Sequence, residues 1–428
     1  MKQVAITTLG CKTNQFESAA MIEQFVKAGY DVVPFSESAD IYVINSCTVT
    51  AKTDAETRRL IRRARRLNPQ ARIIATGCYA QVAAGDLERM PEVDSVLGNM
   101  EKQDIAHFVE AGKSHVSDIA TEQSAGTLEL SSFAEHTRAF LQIQNGCNSF
   151  CSYCIVPYAR GRSRSVPVNQ VLEGIRNLAA NGYQELVLTG IHLGAYGLDL
   201  ATRASLTELV AHIESSGLVP RLRIGSIEPN ELDDELISLM SRSAVICPHL
   251  HLPLQSGSNA VLKRMGRHYT ESLFGELIAK VTAALPDVFL GADVIAGFPG
   301  ETEEEFAETF RLIQDLPFSD LHIFPYSRRP GTKAAELPGQ VPTGIVKKRA
   351  EELRNLASKK KREFLTKQTG RKLQVLVQGY DAENGLCRGL ARNYATVSFA
   401  GNQDMRNREI EVLVTGLGPA SDLTAVVI

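Results

Sequence analysis

Short apolar runs alternate with amphipathic stretches along the first 80 residues. Val4-Ala5-Ile6, Ile41-Tyr42-Val43-Ile44 and Ile73-Ile74-Ala75 have the length and continuity of parallel strands buried on both faces. Between the first two, Phe16, Ala19, Ile22 and Val26 recur at helical spacing, and the pattern stops near Gly29. A second helical pattern fills Ala51 to Leu67. The alternation predicts a small α/β (Rossmann-like) unit. A weakly patterned stretch, roughly Ser114 to Phe133, reads as a linker.

From about Thr137 to Ser327 the alternation resumes with six strand candidates: Phe140–Gln144, Glu185–Thr189, Leu222–Ile227, His249–Gln255, Phe289–Ala296 and Leu321–Tyr326. One intervening helix is expected to open on Asn169 as N-cap and to end at Gly182; another opens with Thr302 and Glu305 in capping-box spacing. Six β-α units in series predict an open, partial β/α barrel, whose chemistry sits at the C-terminal strand ends. After Pro342 comes a long charged helix. Leu373 to Ile428 then switches to period-two alternation punctuated by glycines, which reads as a small all-β barrel or sandwich.

Composition narrows the setting. The formal net charge of −3 gives no global pull towards nucleic acid, so RNA contact must come from local basic patches. No apolar run approaches the roughly 20 residues of a membrane span, and no signal-peptide pattern opens the chain. A cytoplasmic location is expected. The eight cysteines should then be reduced thiols, and clustered ones suggest metal.

The strongest chemical signal is Cys147-x3-Cys151-x2-Cys154, on a loop after the first barrel strand. Three thiolates suit a 4Fe–4S cluster with one iron left open for a ligand. A zinc knuckle is the alternative, but zinc wants a fourth ligand and none lies nearby. A quieter signal is Cys11, Cys47 and Cys78, each ending a predicted parallel strand. Parallel strands bring their C-terminal ends to one edge, so the three thiols should converge there. The alternative is three separate half-buried cysteines. Cys247, His249 and His251 share one face of a strand, for which interior packing is the simpler reading than metal.

At Cys147, Cys151 and Cys154, with the aromatic Tyr153 before the last cysteine, the chain resembles the radical S-adenosylmethionine superfamily. With two three-cysteine sets and a terminal β-domain it resembles, over nearly its whole length, the radical SAM methylthiotransferases. Leu9-Gly10-Cys11-Lys12-Thr13-Asn14, Leu188-Thr189-Gly190-Ile191-His192 and His249-Leu250-His251-Leu252-Pro253 are most similar to the branch acting on N6-threonylcarbamoyladenosine in tRNA. The resemblance implies an auxiliary-cluster unit over 1–113, a radical SAM unit over 134–363 and an OB-like TRAM unit over 365–428. It implies two 4Fe–4S clusters, on Cys11, Cys47 and Cys78 and on Cys147, Cys151 and Cys154. It places S-adenosylmethionine against Tyr153, Thr189, Gly190, Ser226, Glu228, Gln255, Ser256 and Ile295. One S-adenosylmethionine methylates a sulfur on the auxiliary cluster. A second yields the radical that removes the C2 hydrogen of the adenosine at position 37, and the methylthio group follows. The implied partners are the tRNA anticodon stem–loop and a flavodoxin- or ferredoxin-like electron donor.

Three regions are candidates for holding RNA. Six arginines crowd one helix at 58, 59, 62, 63, 65 and 66, and eight Lys or Arg lie between Lys347 and Arg362. The third is the β-domain. Truncation after about Lys361 is therefore expected to weaken tRNA binding and leave cofactor cleavage largely intact. Lys12 and Arg160, next to the two cysteine loops, are candidates to pair with the threonylcarbamoyl carboxylate.

Overall fold

The N-terminal strands line up in the order β2-β1-β3-β4-β5, all parallel: β1 Gln3–Thr8, β2 Asp31–Val32, β3 Ile41–Ser46, β4 Arg72–Gly77 and β5 Ser95–Val96. This is a doubly wound order whose switch point lies between β1 and β3. β3 is buried along its whole length because helices cover both faces. The sequence pattern shows β1, β3 and β4; β2 and β5 are two-residue strands, too short to carry a pattern. The computed structural model describes residues 1–126, 128, 130, 137–419 and 422–428. Of the linker expected at 114–133, His115 bridges to Leu97 and residues 119–121 form a helical turn. Residues 127, 129 and 131–133 of it, and residue 134, where the second unit is expected to begin, lie outside the described residues.

The helix α1, Lys12–Lys27, departs from the expected stripe. Phe16 is buried, but Val26 is exposed, and Ala19 and Ile22 are only partly covered. The buried side is instead Thr13, Asn14, Phe16, Glu17, Ser18, Ala20, Met21 and Phe25. The reason is that α1 faces two cores. Met21 and Phe25 join the apolar cluster of the N-terminal sheet, while Phe16 and Ala20 join that of the barrel. A helix between two domains has no solvent-facing half, so a one-sided apolar stripe does not describe it.

The barrel strands are Arg138–Gln142, Glu185–Thr189, Arg221–Ile224, His249–His251, Phe289–Ala296 and Asp320–Pro325. They form two three-stranded parallel sheets. Parallel bridges from Leu222 to Ile246 and from Ser226 to His251 join the two into one open arc. Leu222, Ile224, Leu250, Leu290, Ala292 and Val294 pack outward in the main core. The alternate positions of these strands face the lumen. The Thr302–Glu305 capping box forms as expected. The helix expected to open on Asn169 starts at Val168, after Pro167, whose ring already sets the φ of −55° that leads into the first turn.

Five C-terminal strands close into a barrel in the order Lys372–Asp381, Leu386–Ala391, Thr396–Ala400, Leu423–Val427 and Glu409–Leu417, the last pairing back to the first. The third and fourth in this order run parallel, the others antiparallel. This is the OB-like arrangement expected. It docks on the N-terminal ends of the large barrel's strands. Arg221 donates to Leu390 O at 3.0 Å, Arg223 to Arg392 O at 3.0 Å, and Asn407 to Gly182 O at 2.9 Å. No helix among the described residues is long and apolar enough to cross a membrane.

Candidate functional site

Cys47 and Cys78 follow β3 and β4 directly, Cys11 follows β1 after Leu9 and Gly10, and the three loops are tied together by the residues beside them. Asn14 donates to Leu9 O at 2.7 Å and to Ser46 O at 3.0 Å, linking the first two loops. Ser46 Oγ donates to Thr76 O at 2.5 Å and accepts from Tyr79 N at 3.2 Å, linking the second and third. Gly10 has φ +101°, and a Cβ there would lie 2.7 Å from Cys47 Cβ and 2.9 Å from its Sγ. Only glycine lets the loops come this close. Cys47 and Cys78 are buried and Cys11 is exposed. Burial pushes the Cys47 thiol up to about 12, helped by the neighbouring Cys78 and Cys11. The three converge, and the set fits a metal cluster with one position left for a further ligand.

The second set lies on the loop after the first barrel strand. Cys147 Sγ is 3.5 Å from His192 Nδ1, and His192 Nε2 lies 2.8 Å from both oxygens of Glu231. Burial raises Cys147, but the His192 contact outweighs it and the thiol is lowered overall. Arg267 donates to Cys151 Sγ at 3.5 Å and pairs with Glu228. Burial pushes Cys154 up to about 12, with Cys151 and Cys147 adding to the rise. These three thiols also feel one another and fit a three-ligand cluster. His192, Glu231 and Arg267 are functional neighbours that the sequence reading missed. His192 stands within the Leu188–His192 motif, so a partner for its ring was a readable question; Arg267, over a hundred residues from Cys151, left no local signal.

The two sets face one another across the domain junction. The short helix Val156–Arg160, directly after the second loop, sends Arg160 into the N-terminal unit. Its guanidinium donates to Glu17 at 2.6 and 3.0 Å, pairs with Asn14, and reaches Asn145 Oδ1 at 3.1 Å. It lies in the field of Cys78 and Cys11. Arg160, 1% exposed, is therefore fully occupied within the protein and is not available to a substrate carboxylate. On the opposite side of the barrel opening, Arg329 donates to Thr48 Oγ1 at 2.8 Å and Asp54 Oδ2 at 2.5 Å. Ala51 N donates to Ser327 Oγ at 3.0 Å.

Between them lies a pocket of about 170 Å³, lined by Val49 and Thr50 of the N-terminal unit and by Tyr153, Gln255, Asp293, Ile295 and Tyr326 of the barrel. Of the residues expected to touch a cofactor, the structure brings Tyr153, Gln255 and Ile295 together here. Gln255 has φ +60°, and its carbonyl accepts from Ile295 N at 2.9 Å. Thr189 and Gly190 end the second strand beside Gln144, whose Oε1 accepts from Ile191 N and His192 N. Ser226 is exposed at the third strand's end, and Glu228 is engaged with Arg267. Ser256 lies outside that pocket's lining. It is fully buried, and its hydroxyl lies 3.1 Å from Thr309 Oγ1, because the residue after the left-handed Gln255 turns towards the outer helix. A larger cavity of about 430 Å³ lies beside α1; neither cavity has a cysteine in its lining.

Residues 3–98 match a family described as uncharacterized protein family UPF0004, and residues 141–313 match the radical SAM superfamily. The chain is 40% identical to the threonylcarbamoyladenosine tRNA methylthiotransferase MtaB of Bacillus subtilis (strain 168), over 98% of this chain and 95% of that protein. Identity is 40% with the MtaB of Aquifex aeolicus, over 96% and 100%. It is 35% with the tRNA-2-methylthio-N(6)-dimethylallyladenosine synthase of Carboxydothermus hydrogenoformans, over 97% of each. The chain belongs to the radical SAM tRNA methylthiotransferases. The solved radical S-adenosylmethionine methyltransferase TsrM of Kitasatospora setae resembles this methylthiotransferase in fold, with a TM-score of 0.54 at 16% identity over 78% of this chain and 77% of that one.

The basic helices are less free than their composition suggests. In the helix α2, Ala51–Leu67, Arg65 is spent on Ala71 O, Glu92 O and Asp94, Arg58 on Tyr79, and Arg59 on Glu56. In the helix Thr343–Thr366, Arg349 pairs with Glu301 and Glu303, Lys360 caps carbonyls at the end of a neighbouring helix, and Lys361 pairs with Asp320.

Proposed function

We propose that the chain converts N6-threonylcarbamoyladenosine at position 37 of tRNA to its 2-methylthio derivative. The observation that carries this reading is the pocket between the domains. Its walls include Val49 and Thr50, two and three residues after Cys47, and Tyr153, directly before Cys154. A base placed there lies beside the loop that follows Cys47 and the loop that carries Cys154.

Cys147, Cys151 and Cys154 would hold one 4Fe–4S cluster and Cys11, Cys47 and Cys78 a second. Bound with S-adenosylmethionine, they supply a one-electron route to an aromatic C–H bond that no acid or base opens at neutral pH. The protein contributes position. Asn14 and Ser46 fix the three N-terminal loops against each other, Arg160 and Glu17 fix that edge against the radical loop, and Arg329 closes the other side. Val49, Thr50 and Tyr326 line the mouth of the pocket. His192 and Arg267 orient two of the thiols. The RNA partner is the anticodon stem–loop, and a flavodoxin- or ferredoxin-like protein delivers the electron.

Mass spectrometry of tRNA nucleosides from cells with and without the protein tests the reading. Loss of 2-methylthio-N6-threonylcarbamoyladenosine is the expected result. Loss of the methylthio-isopentenyl nucleoside instead would overturn the substrate and leave the reaction class.

A further inference from the structure

Below the pocket the barrel lumen is polar, and its charges do not balance. The facing positions are Arg138, Glu185, Arg221, Arg223, His249, His251, Asp293 and His322. Of the two acids, Asp293 is taken by His251 Nε2 at 3.1 Å and His322 Nδ1 at 3.2 Å. Glu185 receives Arg138 at 3.4 Å, Arg221 at 2.8 Å and Arg223 at 3.0 Å; Arg221 also reaches Glu409 of the C-terminal barrel at 2.5 Å, but that carboxylate is shared with Arg392, so cations still outnumber acids.

A fourth cation enters from another domain. Lys12, the residue after Cys11, is half-buried and lies in the field of Arg138, Arg223, Glu185 and Tyr394. Among the described residues its ammonium makes no hydrogen bond or ion pair within the protein. Next to it His249, 3% exposed, has a buried Nδ1 with no hydrogen-bond partner. The C-terminal barrel supplies the floor. Tyr394, held at φ +67°, stacks 4.3 Å from the His249 ring and carries the Arg223 guanidinium 4.9 Å over its own ring. Burial alone would raise the Tyr394 phenol; the charges of Lys12, Arg138 and Arg223 outweigh it and lower the group. The phenol thus registers the same excess of positive charge that the geometry shows. Gly291 leaves room above, since a Cβ there would lie 2.8 Å from His251 Nδ1.

An excess of buried positive charge needs an anion, and the occupant of the pocket above has one. We propose that this lumen floor, with Lys12 and Arg138 as its cations, receives the carboxylate of the N6 substituent of the substrate adenosine and so selects the threonylcarbamoyl group. The inference rests on the function proposed above and names the residues that read it. A carboxylate recovers there the partners it loses in water, whereas a wholly apolar N6 group would leave Lys12 without an anion and Arg138 with only its share of Glu185.

The test uses the full-length, anaerobically reconstituted enzyme and two anticodon stem–loops, one carrying N6-threonylcarbamoyladenosine and the other its carboxyl methyl ester. Binding affinity and methylthiolation are both measured. Wild type should bind the free acid about 10- to 100-fold tighter than the ester. Lys12→Met and Arg138→Met should each shrink that ratio to roughly threefold or less, and Lys12→Arg should keep most of it. Arg138 lies at the far end of the first barrel strand from the cysteine loop, so its variant reports even where Lys12→Met loses iron. Equal binding and turnover of acid and ester by wild type would overturn the inference and leave the proposed function standing. Undiminished discrimination in both methionine variants would overturn it too, by locating the carboxylate elsewhere. Turnover of neither stem–loop by wild type would remove the proposed function and the inference with it.

Discussion

Arg160 donates to both carboxylate oxygens of Glu17, at 2.6 and 3.0 Å, across the junction of two domains. Glu17 also accepts from Lys102 Nζ at 2.7 Å. Both ends of this pair are almost fully buried, so it is a costly contact that is tolerable only when complete. It fixes the edge carrying Cys11 and Cys78 against the loop carrying Cys147, Cys151 and Cys154.

Removing one partner should therefore be severe. Glu17→Gln leaves two buried cations short of their anion and should cost on the order of 3–5 kcal/mol. Burial alone would raise Glu17, but Arg160 and Lys102 outweigh it and hold the carboxyl at about 2. That lies below the unfolded value of about 4.3. Its contribution is thus complete above the unfolded pKa and fades as pH falls from about 4 towards 2. Denaturant melts of wild type and Glu17→Gln between neutral pH and about pH 3 should show the gap narrowing in acid. A gap that stays constant would mean another group dominates the junction.

The two thiol sets should separate by function. Reconstituted wild type is expected to hold about eight irons, falling to about four when Cys11, Cys47 and Cys78 are replaced together. Cys151→Ala should lose both 5′-deoxyadenosine and product. Cys47→Ala should still release 5′-deoxyadenosine while making no methylthiolated base. Product formation by Cys47→Ala would remove the sulfur-carrying role of the N-terminal set.

The C-terminal barrel is not detachable. Arg221 and Arg223 tie Glu185 to the carbonyls of Leu390 and Arg392, and Tyr394 stands inside the large barrel. Truncation after Lys361 therefore strips the lumen floor and should abolish cofactor cleavage along with tRNA binding, contrary to the expectation from sequence. Glu185→Gln should loosen the docking by a few kcal/mol and open the Gln368–Arg371 connection to limited proteolysis. Unchanged digestion would place the docking strength elsewhere.

If α2 touches RNA, the work falls to arginines not spent on their own domain. Replacing Arg63 and Arg66 with glutamine should reduce the slope of log affinity against log salt by about 0.9 for each phosphate no longer neutralised. An unchanged slope would remove α2 from the RNA surface.

The architecture is largely legible in the sequence because strand alternation and cysteine position are local signals. Cys11, Cys47 and Cys78 can be brought together on paper, since parallel strands share an edge. α1 defeats the same reasoning. Glu17, Asn14 and Ser18 are buried against partners up to 146 residues away, and a polar residue that will be paired looks like one left in water. Arg160 stands beside the expected loop, yet its partner is Glu17 and not a substrate, a choice that depends on which carboxylate the fold brings near. The strands Leu386–Ala391 and Leu423–Val427 carry little signal, being short and interrupted by Gly389 in one case and ending the chain in the other.

The OB-like barrel and the cysteine loops sit at opposite ends of the same strands. The longest of these, Phe289–Ala296, has eight residues, which span about 25 Å at 3.3 Å each. An RNA gripped at both ends is measured as well as bound. If the OB-like barrel grips RNA, the nucleotide reaching the thiols would be the one lying at a fixed separation from the gripped segment, so that one adenosine would be found by length, as callipers do, with no need to read the letters around it.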